Sequence, residues 1–598
     1  MMFALLLPAG IQAQLRAYRT LNNLYGYKTK EDKSVIAGRY NYAYDFAGGF
    51  GRFEFVRKTG YADVNGREIS NNKYDDGHDF SEGMAAVNVG AKYDEDEMFR
   101  KGGKWGYIDE TGKEVIPLKF DLAGSFHDGL AWVSINRKFG FIDKKGKIVI
   151  PLIYDMADNF SEGFAAVNTG AVNKGELWGY AGGKWMFIDK TGKAITPQKY
   201  SQTDNFSEGL AMVETGGDDL GNGKKCGYID RTGKEVIPLK YDDAKSFHKG
   251  LAPVNVGAKA GTLFGQNGGK WGFIDKTGKV VVPAKYGEVG TFSNGICRVI
   301  ASDLDEVKVL TNIAMKKDNE KKYAIINASG KEIVPMGKYD YIAGEAGWLN
   351  KDDWYSAPFM VKSGSKYGYI DATGKEVIAP QFDYAGDFVN GLAIITQANK
   401  RGFVNTSGKV VIAPKYDVVY HFVDDLSFVK LNGKYGYVNK SGKEIVPPLF
   451  DTAHLFTEGM VRVKRNGRYG FITIEGKMVP GVYDEASDFS EGFARVGRKN
   501  KFGFIDKAGQ LVIPLQYDEV QSFYEGMGGI NIGAVPTKGY FGSTYQSGGK
   551  WGYIDKTGKV IIEPKYDYVY GYGPDGISWV TLNGKNIYID KTGKEVKP

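Results

Sequence analysis

Cysteine is almost missing from this chain (2 in 598 residues), histidine is scarce (5) and proline thin (19). Two cysteines build neither a disulfide framework nor a Cys/His metal centre. Cys226 stands where sister segments carry Trp and Cys297 where they carry Ala, the behaviour of small apolar core substitutes. No apolar run reaches the length of a membrane span. Neither sign of charge prevails: 78 basic against 71 acidic residues give +7. Lysines alternate with aspartates in the turns, so there is no basic stripe and nucleic acid is excluded as a partner. The histidines are dispersed without metal spacing, and His127 and His248 take the turn position held elsewhere by Ser81 and Ser161, which reads as solvated turn residues. Asp109, Asp143, Asp189, Asp230 and Asp275 recur at one position, the mark of turn capping rather than of a single active site. The acidic tips Tyr93 to Glu97 and Asp218-Asp219 lack the calcium-loop pattern and read as solvated loops. The strings around Gly216-Gly217 and Gly221-Asn222-Gly223 are hairpin tips, not phosphate cradles. The expectation is a protein without catalytic residues, cofactor or metal.

What the chain has is glycine (82), tyrosine (39), phenylalanine (34) and repetition. GGKWGYIDETGKEVIPLKFDLAGSF, Gly102 to Phe126, returns as GGKWGFIDKTGKVVVPAKYGEVGTF ending at Phe292 and as GGKWGYIDKTGKVIIEPKYDYVYGY ending at Tyr572. Looser copies fill most of the remainder. The compact copies are spaced by 34 residues, as from Phe388 to Phe422 to Phe456. Longer copies carry an insertion at one place, between the segment of the type GMAAVNVG and GGKWG, which maps insertions to one edge of an array.

Each copy predicts three strands. In Val423 to Phe456, a strand Leu426–Leu431 leads into Asn432-Gly433, a type I′ hairpin signal. A second strand, Lys434–Val438, ends in Asn-Lys-Ser-Gly, elsewhere Asp-Lys-Thr-Gly: a type I turn closed by a left-handed glycine, with the Asp or Asn side chain accepting a backbone N–H two residues on. A third strand, Glu444–Val446, is expected to stop at Pro447. The first strand alternates Ala131 and Val133 around a variable Trp132, which reads as one buried and one free face. The glycine inside the second strand, Gly272 for example, is expected to lie under an aromatic ring of a neighbour. The tail YDxAxxF predicts a turn of helix or a tight bend that plugs aromatics into the seam between successive sheets.

KWGYID…GKEVIP…YD…F resembles the WG-repeat (KWG-repeat) family of bacterial proteins, over nearly all of residues 25–598. Cys226-Gly227, Lys184-Trp185-Met186, Tyr323-Ala324 and Asn586-Ile587 depart from it. The resemblance implies a repeat architecture and no established common activity. The resulting expectation is an all-β tandem array of three-stranded antiparallel meanders wound into an open superhelix, with a closed propeller-like ring or rings as alternative. Residues 1–14 read as a truncated signal peptide and 15–50 as a linker and half-repeat cap. Repeats with long inserted hairpins fill 51–292, an irregular repeat with a charged insertion (Asp303 to Lys322) fills 293–354, and mostly compact repeats fill 355–598. An exported, monomeric, non-catalytic scaffold that binds a protein partner follows, with a cytoplasmic location as alternative. Glycan or peptidoglycan binding is the second functional reading. Its candidates are exposed aromatics: Trp132 and Trp579 at the variable position of the first strand, and Trp178, Tyr180, Tyr540, Phe541 and Tyr545 in inserted hairpins.

Overall fold

A computed structural model describes residues 15–19, 25–29, 34–55, 57–70, 73–94, 99–173, 180–217, 222–260, 267–301, 322–343, 358–389, 391–422, 425–454, 456–538, 544–573 and 576–596. The segment 1–14, most of the insertion 303–322 and Trp354 lie outside them. The described residues are strands and turns without a helix. The chain divides into two compact units, one of residues 1–397 with 404–409, the other of 398–403 with 410–598.

In both units the recurring element is a four-stranded antiparallel sheet, not the expected three-stranded one. One example consists of a short strand Leu122–Ala123, a first long strand Leu130–Ile135, a second Lys138–Asp143 and a third Ile148–Tyr154, hydrogen-bonded in that order. The short strand is the tail of the preceding copy. It pairs as Leu122 with Ser134 and Ala123 with Val133, so the YDxA segment is a strand rather than a helical turn. Only Asp121 separates it from Phe120, the last residue of the sheet before. Each copy thus begins the sheet that the next copy completes. Each four-stranded sheet is open, because its short and third strands lie at opposite ends of the order.

Local chemistry explains the strands. Asn432 and Gly433 adopt φ of 50° and 79°, the type I′ turn the sequence predicts. At the second turn, Asp109 accepts the Thr111 N–H at 2.9 Å, the Thr111 hydroxyl at 2.6 Å and the Lys113 N–H at 3.1 Å. Gly112 there takes φ +81°, closing the loop. The third strand does not stop at proline. It runs from Glu444 to Phe450 through Pro447 and Pro448 by bulging away from its partner, as an edge strand permits.

The bulge also overturns the expected ring over the second-strand glycine. A Cβ on Gly272 would sit 2.4 Å from the Val282 carbonyl oxygen and 2.7 Å from the Ala284 nitrogen. Backbone of the third strand arches across the glycine. Gly60 is an exception, since the Phe53 ring covers it at 2.5 Å.

An interior sheet packs on a neighbour at each face, so the first strand has no fully free face and its variable position is half-buried, as at Trp132 and Phe428. Trp105, Tyr107, Ile116 and Phe120 of one sheet pack on Ala123, Phe126, Ala131, Val133 and Ile142 of the next. At the centre of this seam Tyr107 meets Phe126 at 4.9 Å and donates its hydroxyl to the Gly124 carbonyl at 2.7 Å. The pair recurs as Phe141–Phe160, Tyr228–Phe247, Phe471–Phe489 and Tyr553–Tyr572, so the tail does plug aromatics into the seams as expected. A second contact line follows the turns. Ser81 donates to the Phe126 carbonyl, while Glu82 accepts the Gly129 N–H at 3.0 Å and pairs with Lys144 at 3.2 Å.

Gly272→Val will lower stability by about 1–3 kcal/mol, because the arch must move to admit the side chain. Equilibrium denaturation measures the loss, and an unchanged midpoint contradicts the backbone arch.

Candidate functional site

The edge at which the first and second strands turn back is where the repeats differ, and it is built on one recurrent clasp. The Asp between third and short strands stands 17 residues after the Lys that opens KWG. Asp121 takes the Lys104 ammonium at 2.5 Å on one oxygen and the Asn136 N–H at 2.7 Å on the other. It ties the preceding sheet, the one-residue link and the next hairpin together. The same clasp joins Lys138 to Asp155 and Lys225 to Asp242 in the first unit, and Lys400 to Asp417, Lys501 to Asp518 and Lys550 to Asp567 in the second. Lys434 and Asp451 form it too. The Lys104 ammonium holds the Asp121 carboxyl below the usual range, helped by the Asn136 N–H. Sequence reading missed the clasp, although the constant 17-residue Lys-to-Asp interval was its signal.

Four hairpins outgrow their sheets: Met84–Asp94 with Phe99–Asp109, Phe164–Asn173 with Tyr180–Asp189, Leu251–Lys259 with Asn267–Asp275, and Met527–Lys538 with Thr544–Asp555. This is where the sequence placed its insertions. Each carries a base the sequence reading passed over, Asn-x-Gly-Ala on one strand and Gly-Gly-Lys on the other. Asn88 is fully buried and donates to the Gly102 carbonyl at 3.1 Å. Its Oδ1 leaves no room for a side chain on Gly103, whose Cβ would fall 2.2 Å away. Gly90, Gly102 and Gly103 all take positive φ (91°, 78° and 72°), a backbone open to glycine, so the ribbon kinks at its root. Asn168, Asn255 and Asn531 repeat the arrangement against Gly183, Gly269 and Gly549. The clasp secures the kink, since Asp75, Asp155, Asp242 and Asp518 accept the N–H of Gly90, Gly170, Gly257 and Gly533. A cavity of about 210 Å³ lies at the first root, lined by Asp76, Asn88, Arg100, Trp105, Asp121 and Leu122 among others.

The structure does not gather the aromatic candidates into one site. Trp132 is half-buried in a seam, tilted on Phe139 at 5.6 Å and pressed on Gly124, which corrects its reading as an exposed ring. Trp579 is 41% exposed and lies between Tyr570 and Tyr588 in a near-parallel stack, at 5.2 and 6.5 Å. Tyr180 and Tyr545 lie on hairpin strands opposite Asn173 and Thr537. Trp178, Tyr540 and Phe541 fall outside the described residues.

Several other titratable groups serve the scaffold. Asp189, Asp230 and Asp275 cap turns as Asp109 does. Burial pushes the Cys226 and Cys297 thiols up to about 12, where they are protonated and unreactive. His127 and His248 are half-buried at hairpin turns rather than fully solvated. Among the described residues no group of His, Cys, Asp or Glu is arranged to hold a metal ion, and no helix is long and apolar enough to cross a membrane.

With these repeats in view, comparison places the chain. The model of the WG containing repeat matches residues 25–55, 60–93, 105–139, 139–174, 185–217, 227–259, 271–300, 367–400, 402–435, 435–469, 469–502, 502–534 and 551–585. The chain belongs to that family. A search of curated proteins returns no match. Among solved structures, a eukaryotic initiation factor aligns at 14% identity and a TM-score of 0.37, covering 61% of this chain and 94% of its own. PorZ, a surface component of the type-IX secretion system of Porphyromonas gingivalis, aligns at 8% and 0.21, covering 96% and 85%. The extracellular domain of a proposed hybrid two component system from B. thetaiotaomicron aligns at 9% and 0.19, covering 97% and 82%.

Asp242 tests the clasp. Burial alone would raise its carboxyl, but the Lys225 ammonium and the Gly257 and Ala258 amides hold it below the ordinary value. Its stabilisation is therefore complete above an unfolded value of about 3.9 and is lost as pH falls through the lower folded value. Asp242→Asn will cost about 1–3 kcal/mol at pH 7, and the gap to wild type will narrow as pH falls below the unfolded value of about 3.9. Denaturation midpoints across pH check this, and a gap independent of pH rejects it.

Proposed function

We propose that the chain is a non-catalytic scaffold which holds a partner protein along the hairpin edge, at the cell envelope or outside the cell. The observation that carries this is the repeated root: four hairpins share one buried Asn, one set of left-handed glycines and one Asp clasp. A sheet needs neither the buried Asn nor its paired glycines to fold, since neighbours with two-residue turns, such as Leu130–Asp143, keep the clasp and lack both. Fixing a kinked ribbon at its base pre-organises what it presents, and pre-organisation lowers the entropic cost of association. The aspartates of the repeats are engaged in caps and clasps, which favours binding over catalysis. An open winding of the sheets and a monomeric state belong to the same proposal, with closed rings as the alternative winding.

Glycan or peptidoglycan binding is the second reading. The exposed stack of Tyr570, Trp579 and Tyr588 favours it, because aromatic faces suit sugar rings. Captured partners and a glycan array, with intact chain and with Lys174–Gly183 removed, decide between them. The scaffold reading expects a specific protein partner whose capture weakens at least tenfold on deletion. Glycan affinity lost on Trp579→Ala supports the second reading, while protein capture indifferent to the hairpin overturns the first. Small-angle scattering of the same samples expects an elongated particle, and an annular profile counts against the open winding.

A further inference from the structure

One arginine of the first unit lacks the partner that its counterparts have. The third residue of the first long strand is Arg52 in Phe50–Phe55, Arg298 in Ile296–Ala301, Arg462 in Met460–Arg465 and Arg495 in Phe493–Arg498. Arg298 and Arg462 are seated alike. Their guanidiniums lie 5.7 and 5.5 Å from the rings of Tyr323 and Tyr469. In both, Nη1 donates to a carbonyl of the next short strand, Ile342 at 2.9 Å for Arg298 and Ala486 for Arg462. The difference lies at Nε. Arg462 gives its Nε–H to Asp488 at 3.0 Å, and Arg52 gives its own to Asp79 at 2.7 Å. Each of these aspartates stands two residues beyond the next short strand, Glu485–Ala486 or Asp76–Gly77. For Arg298 that place in the sequence is Gly344, which has no carboxylate to offer. Arg495 has Ser522 there and turns to Glu485 of its own sheet, at 2.8 Å. Among the described residues no carboxylate is bonded to Arg298, and its Nε is buried without an acceptor.

We propose that Arg298 is a binding site for a carboxylate of another molecule, which takes on its Nε the place that Asp79 and Asp488 take on Arg52 and Arg462. Arg298 is only 7% exposed. A guanidinium does not shed its proton, so a buried one stays a cation and needs both an anion and acceptors around it. One backbone carbonyl meets part of that need and leaves the charge unbalanced. The ligand class follows from the sister repeats, where the same seat takes a carboxylate. Access follows from them too. The side chains of Asp79 and Asp488 are 44% and 22% exposed, so the carboxylate's place opens to solvent although the arginine is largely covered. A carboxylate on a guanidinium makes a short, charge-assisted bond. The Tyr323 ring and the Ile342 carbonyl already hold the group in position, which lowers the cost of binding. The site lies beside the short strand Tyr341–Ile342, so it does not depend on the reading of the hairpin edge.

The test is amide exchange in the strands Ile296–Ala301 and Phe359–Ser363 of the intact chain, at pH 7.5 and constant ionic strength, as sodium acetate replaces sodium chloride. One charge-assisted bond gives half-saturation on the order of 0.01–0.1 M. Exchange in these strands will therefore slow at least about fivefold in about 0.5 M acetate. The strand Leu130–Ile135 of the same unit reports the general effect of the salt, which is subtracted. Arg298→Met will lose the response. A second measurement needs no variant: N-acetylaspartate amide, whose one carboxylate is the side chain's, is compared with N-acetylasparagine amide on wild type. A response to acetate and to the aspartate amide assigns the site to an acidic side chain of a partner protein, and a response to acetate alone assigns it to free carboxylates. Three results overturn the proposal: no saturable slowing by acetate, an equal response in Arg298→Met, or an equal response to the asparagine amide.

Discussion

The structure rests on a ring lodged between two sheets. In most seams of the described residues an aromatic of the second strand meets the aromatic that ends the YDxAxxF tail, at 4.7 to 5.1 Å in Tyr107–Phe126, Phe504–Phe523 and Phe187–Phe206. A three- or four-stranded sheet alone exposes too much apolar surface to persist in water. The seam removes that surface from both partners at once, at roughly 25 cal/mol per Å². Because the tail also contributes a strand to the sheet it plugs, burial and strand pairing are completed by the same seven residues.

That arrangement explains the other conserved-looking features as requirements of close stacking. The link between sheets is one residue long, and where that residue is Asp its two oxygens bond in both directions, as at Asp121. The turn glycine has to accept the preceding sheet's edge: a Cβ on Gly146 would meet Ile116 at 3.1 Å. Variation is then confined to the hairpin edge and to the residues within a seam that face neither a clasp nor a wedge. Hairpin length changes at the first, and charge changes at the second, where Asp158 and Asp204 stand at the position of Gly124 and Lys245 in neighbouring repeats.

Much of this was legible in the sequence. Repeat length, the type I′ hairpins, the capped Asp-x-x-Gly turns, the place of the insertions and the aromatic seam follow from local chemistry and spacing. What misled was pairing between copies. YDxA is too short to announce a strand, and its partner lies in the next repeat, so the tail reads as a bend and the sheet as three-stranded. The bulge over Gly272 is equally hidden, because proline signals a strand's end and says nothing of a strand that resumes beyond it. Reading Trp132 as exposed came from assuming that an array's sheet has one free face. Stacking on both sides leaves it half-buried.

Exchange protection after Phe126→Ala tests the account most directly. Removing this ring should weaken protection in the sheet ending at Phe120 and in the sheet of Leu122–Tyr154 together, while sheets several repeats away, such as 288–334, keep theirs. Loss in one of the two sheets alone, or equal loss along the whole unit, would contradict the claim that each seam holds its two neighbours.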